Sequence, residues 1–351
     1  MGTQRTPKPL RMSKPTFPDH VVTSASPTAA VAPVASWLLA QPSVHERFRW
    51  VLRDSVDQLL DGQHTGRWNY LHLSKTEKTH LGTIIEISLT KEFEIPDGHE
   101  LDWRIAGIEV DCKFSKDYGK WEIPREMYLS TTPAQRSGTA DHVALLVWLD
   151  DDRSRWAAGL LQITDALLSG SANGDAKRKL NDTGLKQIHW LWGGRQDDLP
   201  PNQLLHMSDA ARQRVFGASS TSGQRRINVL LREFNQQLVH RSTVLTVAQQ
   251  DDGMKRPRDA RLPRHLGAEG FLVLGHQDAH PYIAALLGLP VPTKGEFVPV
   301  RVTQVPKTDQ RPKVHISGGW WAAAGPADPS GPAPRLPKSA PSGDWLTYLK
   351  A

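Results

Sequence analysis

The stretch Ile108-Glu109-Val110-Asp111-Cys112-Lys113-Phe114 alternates apolar and polar residues without a break. An extended strand with one face in a core uses that pattern; a helix does not. Ile108, Val110, Cys112 and Phe114 take one face, and Glu109, Asp111 and Lys113 take the other. Val143 to Trp148 is wholly apolar, as a central strand buried on both faces requires. Arg47 to Leu60 spaces Phe48, Val51, Leu52, Val56, Leu59 and Leu60 at helical intervals, and Lys75 to Phe93 also reads as helix. Asp102 to Phe114 is extended, with a turn at Ala106-Gly107, and Trp156 to Ile163 is a further strand or the start of a helix. Helices and strands thus alternate, which predicts an α/β layered fold.

The polar face of the Asp111 strand carries chemistry. A carboxylate and an ammonium side by side suit phosphodiester hydrolysis. The carboxylate offers oxygen to Mg²⁺, the ion polarises the phosphate and acidifies a water, and the lysine orients that water or offsets growing negative charge. Asp111 and Lys113 form that pair, and the Cys112 carbonyl is one more oxygen ligand. After the Ala106-Gly107 turn Asp102 returns as a second ligand, and Glu86 on the preceding helix supplies a further carboxylate. The short pattern is not specific, since Asp175-Ala176-Lys177 matches it too, within a Gly/Ser/Asn-rich stretch without alternation. On spacing alone, a solvated, salt-bridged strand face explains Asp111 and Lys113 equally well.

A second segment runs from Gln187 to Trp321. Ser208 caps a short helix through Phe216, Ser219 to Gly223 is a loop, and Arg225 to Val239 is an amphipathic helix with Ile227, Leu230, Leu231, Phe234 and Leu238 on one side. Two helices across a short loop, amid arginines, fit a helix-turn-helix. Phe271 to Leu274 and Phe297 to Val302 read as strands. The chain's net charge is +6, from 43 Lys and Arg against 37 Asp and Glu. Most of that excess falls between Gly223 and His265, where nine Lys/Arg face four Asp/Glu, as nucleic-acid binding favours.

Cys112 is the single cysteine, so an internal disulfide and a Cys-based zinc site are both excluded. No apolar run is long enough for a membrane span, and Pro27 and Pro33 break the Ala-rich leader that would otherwise read as a signal peptide. A cytoplasmic protein is expected. The composition predicts a disordered leader over residues 1–40, a first domain over 41–180, a second over 187–322 and a Pro-rich tail over 323–351. Ser130 to Thr139 reads as an extended loop.

Several segments resemble the NaeI family of type II restriction endonucleases. They are Asp57 to Gln63, Lys75 to His80, Ile105-Ala106-Gly107, Val110 to Phe114, Val247 to Asp252, Leu274 to Asp278 and Leu287 to Pro292, in family order from about residue 50 to 322. The resemblance implies a restriction-endonuclease-like mixed-sheet catalytic domain, followed by a DNA-binding domain like that of catabolite activator protein, with a helix-turn-helix. It places the family's active-site residues on Glu86, Asp102, Asp111 and Lys113. It further implies Mg²⁺ as cofactor and a homodimer that engages two copies of a DNA site, one cleaved and one acting as effector. The family prototype's target is GCCGGC. A cognate DNA methyltransferase is expected in the same system, without a stable complex. Leu59-Leu60-Asp61-Gly62 also resembles the Lys-x-Asp-Gly motif of DNA ligases. Leu59 lacks the nucleophilic amine, so the segment reads as a helix end, with Leu59 in the core and Gly62 as C-cap.

The candidate DNA contacts are Lys75 and Lys78 before the Glu86 helix, Arg225, Arg226, Arg232 and Arg241, the amides Gln249 and Gln250, and Lys255, Arg256 and Arg258 in an Arg-rich loop. Each has a structural alternative: a charged helix turn, a solvated helix face, or pairing between the arginines and Asp251 or Asp252. His276, Asp278 and His280 are spaced like metal ligands or, more simply, like helix caps. Three functions fit this reading: a site-specific endonuclease, a DNA-binding regulator with an inactive first domain, and a non-specific nuclease. Joint retention of Glu86, Asp102, Asp111 and Lys113 argues for an active enzyme.

Overall fold

The computed structural model describes residues 23–128, 142–192, 197–217 and 222–337. The loop expected at Ser130 to Thr139 and most of that at Ser219 to Gly223 lie outside the described residues. The chain forms two units. One holds the described residues up to Leu59 together with Leu73–Pro201; the other holds Leu60–His72 and the described residues from Asn202 onward.

The first unit opens with α1 (Val31–Leu39) and α2 (Val44–Leu60). After α3 (Gly62–Thr65), which goes with the second unit, come α4 (Lys75–Phe93) and the hairpin β1 (Trp103–Ile105) and β2 (Ile108–Ser115). Then follow β3 (Val143–Asp150), β4 (Arg155–Gln162), α5 (Asp182–Lys186), β5 (His189–Trp190) and β6 (Asp197–Asp198). The sheet order is β1-β2-β3-β4-β5, with β6 also pairing β4. β2 and β3 are parallel and the other pairs antiparallel, so the sheet is mixed, as a restriction-endonuclease-like fold requires. β3 is buried along its whole length. Ala144, Leu146 and Trp148 meet Trp121, Ile123, Met127, Ile188 and Trp190 on one face, and the period of two sends Leu145 and Val147 to the other.

α4 has the predicted bounds because Ser74 and Glu77 close a reciprocal capping box at its start, while Leu81, Ile85, Leu89 and Phe93 form a buried stripe. Asp102 to Phe114 is extended and folds back at the predicted turn, where Ala106 and Gly107 take left-handed conformations and Ile105 pairs with Ile108.

Three boundaries differ from expectation. Residues 1–40 were expected to be a disordered leader, but α1 lies within them and buries Val31, Val34, Ala35 and Leu38, while the Ala25 N–H donates to the Ile188 carbonyl at 3.1 Å. Alanine content hid an amphipathic face. The first unit extends past residue 180, because α5, β5 and β6 complete its sheet and Ile188 and Trp190 enter its core. In the tail, Arg301 holds the Gly325 and Asp328 carbonyls and the Ala333 N–H donates to Gly267, so the chain stays bound beyond residue 323.

The second unit contains α6 (Gln203–His206), α7 (Asp209–Phe216), α8 (Gly223–Glu233), α9 (Arg241–Ala248) and α10 (Arg256–Asp259), then β7 (Phe271–Leu274), α11 (His280–Leu286), β8 (Val298–Val305), β9 (Lys313–Ile316) and β10 (Gly319–Ala323). The sheet order is β7-β8-β10-β9, antiparallel throughout. Leu204, Val215, Ile227, Leu230, Leu231, Val244 and Val247 form a helical core, and Ile283 and Ala284 of α11 cover the sheet. α7 starts at the Ser208 cap as predicted, but α8 ends at Glu233 rather than Val239. Gln236 turns left-handed, and Val239 exchanges backbone hydrogen bonds with Phe297 instead. In the Arg-rich stretch Arg256–Asp259 form the short helix α10, whose first turn accommodates Pro257, while residues 260–265 are turns.

The ligase-like segment also differs from its predicted form. Leu60, not Leu59, is the fully buried leucine; Asp61 adopts the left-handed conformation, and Gly62 begins α3 instead of capping α2. Among the described residues no helix is long and apolar enough to cross a membrane.

Candidate active site

The β1–β2 hairpin sets the site. Trp103 pairs with Val110, so Asp102 falls just beyond the last ladder pair, beside Asp111. The Cys112 N–H donates to Asp102 Oδ2 at 3.2 Å. Lys113 Nζ ion-pairs with Asp111 Oδ1. Asp111 is 3% exposed. Burial, with the hydrogen-bonded Asp102 carboxyl beside it, pushes the Asp111 carboxyl up to about 8 against the opposing pull of Lys113. Glu86 rises for the same reasons: burial first, then the Asp102 charge, opposed by Lys113. All four predicted residues therefore fall within one electrostatically coupled cluster.

Two further contacts hold this cluster together. The Trp103 indole N–H donates to Thr90 Oγ1 at 2.7 Å, and that hydroxyl donates to the Glu86 carbonyl at 2.9 Å. The hairpin is thereby tied to the helix that carries Glu86. Glu109 was expected on the same polar face as Asp111 and Lys113. Its carboxylate instead accepts the N–H groups of His99, Glu100 and Leu101. Partial burial raises the Glu109 carboxyl, but those three donors outweigh it and hold the group below the usual carboxylate range.

Among the described residues no three His, Cys, Asp or Glu side chains make a ready-formed metal cage. The donor set still suits a hard cation. Asp102 and Asp111 present adjoining carboxylates whose mutual repulsion a divalent ion relieves. The backbone N–H and C=O of a strand residue face the same neighbour, so the Cys112 carbonyl shares the edge on which its N–H meets Asp102.

Lys75 and Lys78 lie in the first turns of α4, Lys75 exposed and Lys78 partly so. Eleven residues are close to three full helical turns, which puts Lys75 on the same side of α4 as Glu86. In the second unit Arg225 is exposed near the start of α8, Arg241 opens α9, and Lys255 and Arg258 are exposed at α10. Lys255 also pairs with Asp259 at 3.9 Å, and the remaining candidates are held more closely. Arg226 donates to the Val247 and Ala248 carbonyls, both at 2.7 Å, and so caps the C-terminus of α9. Arg232 forms a bidentate pair with Glu269. Arg256 is held by Gln250 and Asp252. Gln249 takes a left-handed conformation as the C-cap of α9. The alternative of pairing with Asp252 thus applies to Arg256, and a capping role to Arg226. His280 is buried with Nδ1 accepting the Gly275 N–H at 3.2 Å, while His276 and Asp278 are exposed, so that trio forms no metal site.

Asp102, the buried Asp111 and Lys113 thus meet on a mixed-sheet hairpin, a set of two acids and a lysine whose chemistry suits phosphodiester cleavage. The comparisons with known proteins narrow the class. The family model described as Restriction endonuclease NaeI matches residues 33–332. The chain is also 44% identical over 298 residues to the type II restriction enzyme NaeI of Lentzea aerocolonigenes, covering 84% of this chain and 90% of that relative. The protein is accordingly a type II restriction enzyme, a site-specific deoxyribonuclease. It belongs to the NaeI restriction endonuclease family.

Proposed function

We propose that this enzyme hydrolyses phosphodiester bonds of double-stranded DNA with Mg²⁺ at the Asp102–Asp111–Lys113 cluster. The observation that carries the reading is the meeting of two carboxylates and a lysine at one edge of β2. Asp102, Asp111 and the Cys112 carbonyl would hold the ion, with Glu86 close by. Mg²⁺ keeps several waters and takes its remaining ligands from substrate phosphate, so two carboxylates suffice. When bound, Mg²⁺ supplies Lewis-acid polarisation of the phosphate and an acidified water. Lys113, anchored by Asp111, holds the attacking water or offsets charge on the phosphate. Glu86 would supply a further carboxylate to the same ion.

The second unit binds DNA through a helix-turn-helix of the catabolite-activator-protein kind, formed by α7 and α8. Arg225, Arg241, Lys255 and Arg258 meet phosphates there, and Gln249 and Gln250 read base edges. Arg226, Arg232 and Arg256 shape that surface through their internal bonds. Lys75 and Lys78 contact phosphates in the first unit. The enzyme acts as a cytoplasmic homodimer on GCCGGC, cutting one copy while a second copy stimulates it, and a cognate methyltransferase protects the host without a stable complex. Family membership supports this fuller reading.

Incubating the pure protein with plasmid DNA and Mg²⁺ tests it. Discrete fragments ending within GCCGGC are expected; a smear or intact plasmid would refute site-specific cleavage. Asp111→Ala should stop cleavage and leave binding intact, and continued cutting by that variant would displace the assigned centre. Short duplexes carrying the target should accelerate cutting at a poor site, and no acceleration would remove the two-site model. A monomer mass in light scattering would remove the dimer.

A further inference from the structure

β1 is three residues long, and its ladder ends at Trp103. Asp102 therefore has no strand partner to fix it. We propose that Glu109 is a positioning residue whose carboxylate moulds the Gly98–Leu101 loop and so delivers Asp102 to the edge of β2. The inference rests on the reading of Asp102 as an active-site carboxylate.

The loop is built around that side chain. The His99 N–H lies 3.2 and 3.1 Å from the two Glu109 carboxylate oxygens, and the Glu100 and Leu101 N–H groups each donate to Oε2 at 3.1 Å. Successive N–H groups aimed at one point form an anion-holding concavity, and here the anion belongs to the neighbouring strand. The loop closes where the Gly98 N–H donates to the Asp102 carbonyl at 3.2 Å and Asp97 bridges to Trp103. Gly98 is required for this closure: a Cβ there would stand 2.2 Å from the Leu101 carbonyl oxygen and 2.8 Å from Glu109 Oε2. Glu100 reaches the other way, with Oε2 3.2 Å from His142 Nε2, at the entrance to β3. The backbone entering Asp102 is thus fixed by Glu109, and its side chain by the Cys112 N–H. Glu109 touches neither Asp111 nor Lys113 in this arrangement and acts through Asp102 alone. A misplacement of about 1 Å at a reacting group can cost on the order of 100-fold in rate.

The test compares Glu109→Ala, Glu109→Gln, Gly98→Ala and Asp102→Ala in steady-state cleavage of a plasmid that the parent enzyme cuts. Thermal unfolding and metal-free binding of a duplex spanning the cut site are measured alongside. Glu109→Ala should lower kcat about 100-fold at temperatures well below its melting point, with KM and metal-free binding close to the parent's and a lower melting temperature from the lost loop hydrogen bonds. Glu109→Gln should recover roughly tenfold of that loss, since its amide oxygen still accepts the Glu100 and Leu101 N–H groups. Gly98→Ala should reproduce the loss in kcat from the loop side, with a lower melting temperature from its clash with the Leu101 carbonyl. The proposal is overturned if Glu109→Ala cuts within about threefold of the parent, or if it and Gly98→Ala lose activity only in step with unfolding. If Asp102→Ala itself cleaves normally, the site reading fails instead. An inactive Asp102→Ala beside a fully active Glu109→Ala removes this inference alone.

Discussion

The Asp102 carboxylate accepts the Cys112 backbone N–H at 3.2 Å, so a side chain takes the place where the β1–β2 ladder would otherwise continue. The bond needs only an acceptor oxygen, whereas the proposed chemistry needs the negative charge. Asp102→Asn separates the two. Its amide oxygen can keep the Cys112 bond, and the variant should melt at or above the parent temperature because one of two adjoining acids is gone. Plasmid cleavage should fall by a factor on the order of 10³. A variant that folds and cuts at parent rate would show that the carboxylate charge is dispensable.

Neighbouring arginines on α8 should behave oppositely. Arg226 caps the α9 carbonyls of Val247 and Ala248. Arg226→Ala should destabilise the protein by about 1.5–3 kcal/mol, the range for hydrogen bonds to a charged group, and Arg226→Lys should not restore it because a lysine lacks the fork. The exposed Arg225 should leave the melting temperature unchanged when replaced by alanine. DNA binding should weaken in that variant, and the dependence of log K on log salt should shallow by about one. Urea unfolding and binding titrations at several salt concentrations read both.

Acid should weaken the fold through His280. Burial, reinforced by the charge of Arg261, lowers its imidazole to about 4, which keeps Nδ1 free to accept the Gly275 N–H. The unfolded chain, near 6.5, binds the proton first. Stability is therefore complete above pH 6.5 and is lost as pH falls from 6.5 towards 4, by on the order of 3 kcal/mol. His280→Asn keeps an acceptor without a titrating ring, so its stability should be flatter over the same window. Equal pH slopes for the two proteins would rule out His280 as the source.

Gly62 shows how closely α3 approaches α9. A Cβ at this position would lie 2.0 Å from Thr246 Oγ1 and 2.9 Å from the Arg67 carbonyl. Gly62→Ala should cost about 1–3 kcal/mol as overpacking, and adding Thr246→Ala should return part of it. Denaturant midpoints of the single and double variants give the answer.

The first unit was largely legible because its signals are local. Ser74 and Glu77 mark the start of α4, and the period of two in β2 placed Asp111 and Lys113 on one side. The readings that failed depended on distant partners. α9 went unpredicted, because Thr243, Val244, Thr246 and Val247 are poor helix formers held in the helix by their burial. α8 stops early because Phe297, far along the chain, claims Val239. Glu109 carried the right residue type on the expected strand, yet its role depends on loop N–H groups that no side-chain pattern reveals.

The excursion of Leu60–His72 has a practical consequence for anyone dissecting this enzyme. The polypeptide passes from the first unit to the second and back before its final passage after Pro201. Deleting everything upstream of Asn202 would therefore strip the C-terminal half of a piece of its own interior, including the Gly62 turn that seats on Thr246. Swapping halves between relatives calls for three junctions rather than one, and a shuffled gene with a single crossover at Pro201 would leave the Leu60–His72 insert from one parent inside the C-terminal unit of the other.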